Sequence, residues 1–156
     1  MRFLRPLAAV VAAYAVMAVV VMALFGLLAV SLGVDRMFAP GGFRSSRTVI
    51  VFATLFSIVG AALAGWVCAR IARARGPVIA LAAIVVALGI LHAAGNAAKP
   101  DPGPRPAGLT VFEAASRAKE PDAFAFSMPF VGGVGVLAGG AGVVLGSARR
   151  TRSPGS

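Results

Sequence analysis

Three side chains in the apolar part of this chain could do chemistry: His92, Cys68 and Tyr14. His92 is the single imidazole, and Asn96 follows four residues later, one helical turn on and on the same face. Such a pair either lines a small polar pocket or makes an interhelical hydrogen bond near the wet end of a bundle. One His and one Asn are too few for a metal site. Cys68 is the sole cysteine and has no CxxC context, so it reads as a buried, inert thiol. The Tyr14 hydroxyl is expected to reach a neighbouring helix. Glu113, Lys119, Glu120 and Asp122 share one polar segment and read as a solvated face rather than a hydrolytic site. An active site needs convergent titratable groups on a fixed scaffold, and these groups fall at different depths. The expectation is a protein that is not an enzyme, with no catalytic residue, no metal and no cofactor.

The elements that must position these residues follow from charge. The chain has fifteen basic and five acidic side chains, and none lies in residues 6–34, 48–69, 76–98 or 123–148. Each of these stretches is long enough to cross a hydrocarbon core of about 30 Å, which takes roughly 20 helical residues. Hydrophobic residues make up 59% of the chain and charged residues 13%, where soluble domains have about 25% charged. The sequence predicts an all-α, integral membrane four-helix bundle, a single transmembrane domain over 1–156, with spans at about 7–32, 48–69, 77–98 and 127–148. The first span follows a basic start and is too long for the apolar region of a signal peptide, roughly 7–15 residues, so it is expected to be retained. At about 39 Å it should tilt or project. Ser45, Ser46 and Thr48 offer N-cap oxygens to the second span, and Pro77 is expected at the first position of the third.

The substantial loop is 99–126. Its Pro-rich start, Lys99 to Pro106, is expected to be an extended connector. Thr110 to Glu113 then matches a capping box and predicts a short helix over about 111–119. That helix either fills the connection or lies on the membrane surface as a periplasmic interfacial helix, with Val111, Phe112 and Ala115 towards the lipid.

A net charge of +10 would suggest nucleic acid in a soluble protein. Here the basic residues flank the spans, so the bilayer and its anionic headgroups are the expected partners, not nucleic acid. Arg70, Arg73, Arg75, Arg149, Arg150 and Arg152 are the candidate headgroup contacts. Segments 1–5, 70–75 and 149–156 hold eight Arg and no acid, whereas 35–47 and 99–122 hold seven basic residues and all five acids. Basic density is about twofold higher in the first set, which places both termini in the cytoplasm. Trp66 sits where an interfacial anchor belongs.

The fourth span is the most patterned. At about 100° per residue, Gly132, Gly135, Gly139, Gly142 and Gly146 fall within an arc of about 80°, with Gly140 off the stripe. Ser57, Ala61 and Gly65 form a related row on the second span. Small residues let helices approach closely in lipid, either inside one bundle or against a second copy or a partner membrane subunit. At the end of the second span, Gly65-Trp66-Val67-Cys68-Ala69-Arg70-Ile71-Ala72 and the short basic turn after it resemble small four-helix bacterial membrane proteins of unknown function, across about 48–98. The resemblance departs at Cys68, where alanine is more usual. It implies a bacterial inner (cytoplasmic) membrane location and no activity. Two functions follow as expectations: a scaffold or accessory subunit acting through helix packing, or a small carrier or pore for a neutral or apolar solute. No Asp, Glu, Lys or Arg lies within a span, which argues against an ion-coupled transporter.

Overall fold

Long apolar stretches leave the backbone one local way to pair every N–H and C=O, the α-helix. The computed structural model is accordingly all-helical. It describes the backbone of residues 4–106 and 108–150, and side chains as far as 143. The elements are α1 (Leu4–Met37), α2 (Arg47–Ala72), α3 (Arg75–Ala97), α4 (Val111–Ser116) and α5 (Asp122–Arg150). All but α4 are long and apolar enough to cross a membrane. Their outward faces are apolar too, with Val30, Met22 and Leu91 exposed by 85%, 75% and 69%. Soluble monomers rarely carry contiguous apolar surface on this scale, and the four candidate spans point to a multi-pass membrane protein.

Local chemistry sets the helix ends. Gly33 takes a left-handed φ of 68° and breaks α1, so its continuous part ends at Leu32 and a separate turn carries on to Met37. Ser46 caps α2: its Oγ accepts from the Val49 amide at 3.3 Å and donates to the Arg36 carbonyl at 2.8 Å. Arg73 ends α2 in the left-handed region (φ 53°), donating its N–H to the Ala69 carbonyl. Only Arg73 and Ala74 separate α2 from α3. Pro77 is therefore the third residue of α3 rather than the first, still within the turn whose N–H groups lack helical partners. The fourth span starts earlier than predicted, at Asp122 rather than Ser127, with that carboxylate in the first turn. The capping box forms at α4, with the Thr110 amide donating to Glu113 Oε2 at 2.9 Å and the Glu113 amide to Thr110 Oγ1 at 3.3 Å. The helix stops at Ser116, short of the predicted 119. Val111 and Ala114 turn inward, whereas Phe112 and Ala115 are exposed.

α5 lies between α2 and α3, and α1 packs along α2. The α2–α5 crossing is the closest. A Cβ added at Gly139 would overlap the Ala62 carbonyl, one at Gly65 would overlap the Val136 carbonyl, and one at Gly135 would sit 2.9 Å from Ala61 Cβ. On the α3 side, a Cβ at Gly133 would meet Val86 at 2.7 Å and one at Gly140 would meet Val78 at 2.6 Å. The glycine pattern is therefore two-sided, and Gly140 is packed rather than free. Gly132 lies within 3.1 Å of Val85 by the same measure, whereas Gly142 faces open space. The packing around Gly146 lies outside the described residues.

Gly139→Ala should lower stability by about 1–3 kcal/mol through overpacking against backbone that cannot yield. Gly142→Ala should be neutral or gain up to about 1 kcal/mol from helix propensity. Thermal unfolding in detergent checks the order, and equal effects at the two sites would contradict this packing.

The bonds from Thr110 hold the Glu113 carboxyl below its ordinary range. A carboxyl with a lowered folded pKa contributes stability above its unfolded value, and that contribution is lost as pH falls through the folded one. Amide exchange at Glu113 and Ala114 should therefore quicken, beyond its intrinsic change, on acidification below about pH 4. Glu113→Gln should remove that extra pH dependence.

Candidate functional site

The four long helices form an arc, α1–α2–α5–α3, that closes at one end only. At the end carrying Arg70 to Arg75, Ala9 and Ala13 of α1 are fully buried against Ala64, Cys68, Leu81 and Val136. Arg5 Nε donates to the Ile71 carbonyl at 2.9 Å and ties the start of α1 to the end of α2. Towards the other end α1 stays with α2 and makes no close approach to α5. The gap left between α1 and the α3–α5 pair, floored by α2, is a cleft of about 470 Å³. Met17 and Val21 line one wall, Met128 and Pro129 the other, and Ala53 and Ser57 the floor. Gly89 lets the proline in: a Cβ there would lie 2.7 Å from Pro129.

His92 and Glu120 line the cleft together with Phe25 and Phe124. Glu120 is held by its main chain. Asn96 Nδ2 donates to the Glu120 carbonyl at 3.0 Å, and the Glu120 amide donates to Asn96 Oδ1 at 3.1 Å. Both polar atoms of the buried Asn96 side chain are engaged, and the Glu120 carboxylate takes no part. Two ammonium groups stand near in the chain, and both turn elsewhere. Lys119 Nζ donates to the Lys99 carbonyl at 2.8 Å, and Lys99 Nζ to the Ala118 carbonyl at 3.4 Å. Among the described residues the ion pair that does form is Arg105 with Asp35, at 3.0 Å.

Ser31, Thr54 and Ser127 hydroxyls donate to main-chain carbonyls within their own helices. Tyr14 and Ser57, which line the cleft, have no hydrogen-bond partner among the described residues, and neither do the side chains of His92 and Glu120. No fully buried side-chain polar atom among the described residues lacks a partner; Thr48 and Trp66, exposed on α2 away from the cleft, are unpaired as well.

A second apolar cluster fixes the cleft's mouth. Phe43 is 1% exposed, packed with Leu28, Met37, Phe38, Val49 and Ala114. Arg105 binds the loops together: its amide donates to the Gly41 carbonyl at 2.9 Å, its Nη1 to the Val34 carbonyl at 2.9 Å, and its guanidinium lies 5.9 Å from the Phe38 ring centre. The Lys119 amide donates to the Phe43 carbonyl at 3.2 Å, so the residue preceding Glu120 is anchored as well.

The residues singled out in the sequence land in different places. His92 and Asn96 share α3 but not a role: His92 is exposed in the cleft, and Asn96 is the clamp. Of the row Ser57, Ala61 and Gly65, Ala61 and Gly65 meet α5 and Ser57 lines the cleft. Cys68 is buried. Arg70 lies over Trp66, 5.2 Å from the ring centre, and Arg73 and Arg75 are exposed. The side chains of Arg149 and Arg150, and all of Arg152, lie outside the described residues. Sequence reasoning missed Glu120 as a cleft residue and Arg105 as the loop tie, because each depends on a partner more than 20 residues away. Comparison with protein-family models, with curated proteins and with solved structures finds no match to this chain.

Asn96→Ala should leave the Glu120 amide and carbonyl unpaired, at about 1–3 kcal/mol for each such group that stays buried. Hydrogen exchange should quicken across 118–122 with α3 protection unchanged. Unaltered exchange there would show that the clamp does not hold the segment.

Proposed function

We propose that this chain is a non-enzymatic, multi-pass protein of a bacterial inner membrane that takes a small, largely apolar molecule laterally from the bilayer into the cleft between α1 and the α3–α5 pair. The observation that carries this reading is the cleft's lining: Tyr14, Ser57 and His92, polar side chains of the long helices, meet there with Glu120, and none of the four side chains has a hydrogen-bond partner among the described residues. An unpaired polar group in hydrocarbon costs several kcal/mol, so the three within the long helices, gathered around one cleft, favour an occupant that pairs with them. The volume, about 470 Å³, suits a small ligand, for which roughly 300–1,000 Å³ is usual.

Closure of the cleft at the Arg70–Arg75 end supports binding over conduction through the bundle. The small-residue rows favour binding over a scaffold role, since Gly65, Gly135 and Gly139 already serve contacts within the bundle. The basic segments around Arg5 and Arg70 to Arg75 support both termini in the cytoplasm, with the mouth of the cleft towards the periplasm.

The test is photolabelling in phosphatidylcholine vesicles with an alkyl diazirine, mapped by mass spectrometry. Met17 and Met128 should be labelled in the parent protein and lose most label in Ala18→Phe, which fills the cleft. Label at lipid-facing Val134 should stay constant and serves as the folding control. Persistence of label at Met17 and Met128 in Ala18→Phe, with Val134 unchanged, would mean that the cleft is not the binding place.

A further inference from the structure

The binding reading leaves the ligand's chemistry open, and the mouth of the cleft narrows it. We infer that the cleft takes a single-chain amphiphile bearing a primary ammonium group, its chain along Met17, Val21 and Met128 and its ammonium at Glu120. This rests on the binding reading above.

Acceptors lacking donors surround the mouth. The Glu120 carboxylate is an acceptor only, and the main chain rather than the side chain holds it in place. Pro129 has no N–H to offer the carbonyl of Ala125, and both residues line the cleft. His92 supplies a further nitrogen there. The Tyr14 and Ser57 hydroxyls, donors and acceptors at once, set no charge preference deeper in.

Cations are plentiful in this chain, at fifteen against five acids, yet none sits on Glu120. The adjacent Lys119 and the nearby Lys99 bond to carbonyls instead, and no basic group lies within salt-bridge distance of the Glu120 carboxylate among the described residues. A carboxylate without a cation partner, on a residue that lines an apolar cleft, attracts a cation from outside the protein, and the cleft admits one that brings an apolar body. Phe25 and Phe124 line the same cleft, and aromatic rings favour an ammonium group. An anionic head would meet the carboxylate directly, and a neutral alcohol could donate only one hydrogen bond where an ammonium donates three.

The experiment competes the alkyl diazirine label with dodecylamine and with dodecanol, which share chain length, in phosphatidylcholine vesicles at pH 7, with bilayer concentrations of both matched. Dodecylamine should displace label from Met17 and Met128 at roughly tenfold lower concentration, the scale of a hydrogen bond to a charged group. Glu120→Gln keeps the main-chain clamp to Asn96 and should bring the two curves together while leaving the dodecanol curve in place. Equal competition in the parent protein, or an amine preference that survives Glu120→Gln, would overturn the inference while cleft-specific labelling still stood. Loss of cleft-specific labelling itself would instead remove the binding reading.

Discussion

Everything else in this bundle depends on two main chains touching. At Gly65 and Gly139 the backbones of α2 and α5 occupy the space that a Cβ would need, each glycine against a carbonyl of the facing helix. Dispersion and weak Cα–H contacts, which fall off steeply with distance, are strongest at such an approach. With α5 seated this deeply, α3 can reach it through Val78, Val85 and Val86, and the opening between Gly89 and Pro129 is filled by the proline ring. The position of α5 thus fixes one wall of the cleft, and α1, whose backbone makes no close approach to α5, supplies the other.

The spans and their number were legible because charge exclusion acts over whole stretches and needs no knowledge of partners. Local rules served the ends nearly as well. Ser46 was one of three N-cap candidates, the capping box at Thr110 and Glu113 formed, and the predicted end of the first span at residue 32 coincides with the break at Gly33. The fourth span starts ahead of the predicted Ser127 because charge exclusion alone leaves Asp122 outside, whereas a carboxylate is at home in a helix's first turn. The glycine stripe was visible as a pattern, but an angular arc on one helix does not say which neighbours it faces. Gly142 lies on the arc and touches nothing, and Gly140 lies off it and is packed.

The cleft was not legible. It arises from what α1 does not touch, and no periodicity in one helix encodes a gap between three others. The clamp between Asn96 and Glu120 joins residues separated by 24 positions, and Arg105 reaches Val34 across 71. Read alone, Asn96 invites pairing with the nearer polar side chain, His92. A main-chain partner satisfies both halves of an amide at once, and the geometry took that course. The result leaves His92 and the Glu120 carboxylate without internal obligations; the sequence marks His92, Tyr14 and Ser57 as polar residues of the spans, but Glu120 only as part of a solvated face.

Chain order and spatial order disagree in this protein. The fourth long helix in chain order, α5, lies between α2 and α3, which both precede it. A nascent chain halted before residue 122 would hold α2 and α3 with their Gly65, Ala61, Val78 and Gly89 faces unmatched, and only two linking residues to keep them side by side. The long 98–121 connection gives the last helix the reach to return and slot between them. Assembly of these four helices therefore waits for α5, and a chain interrupted within α5 loses the centre of the bundle rather than its edge.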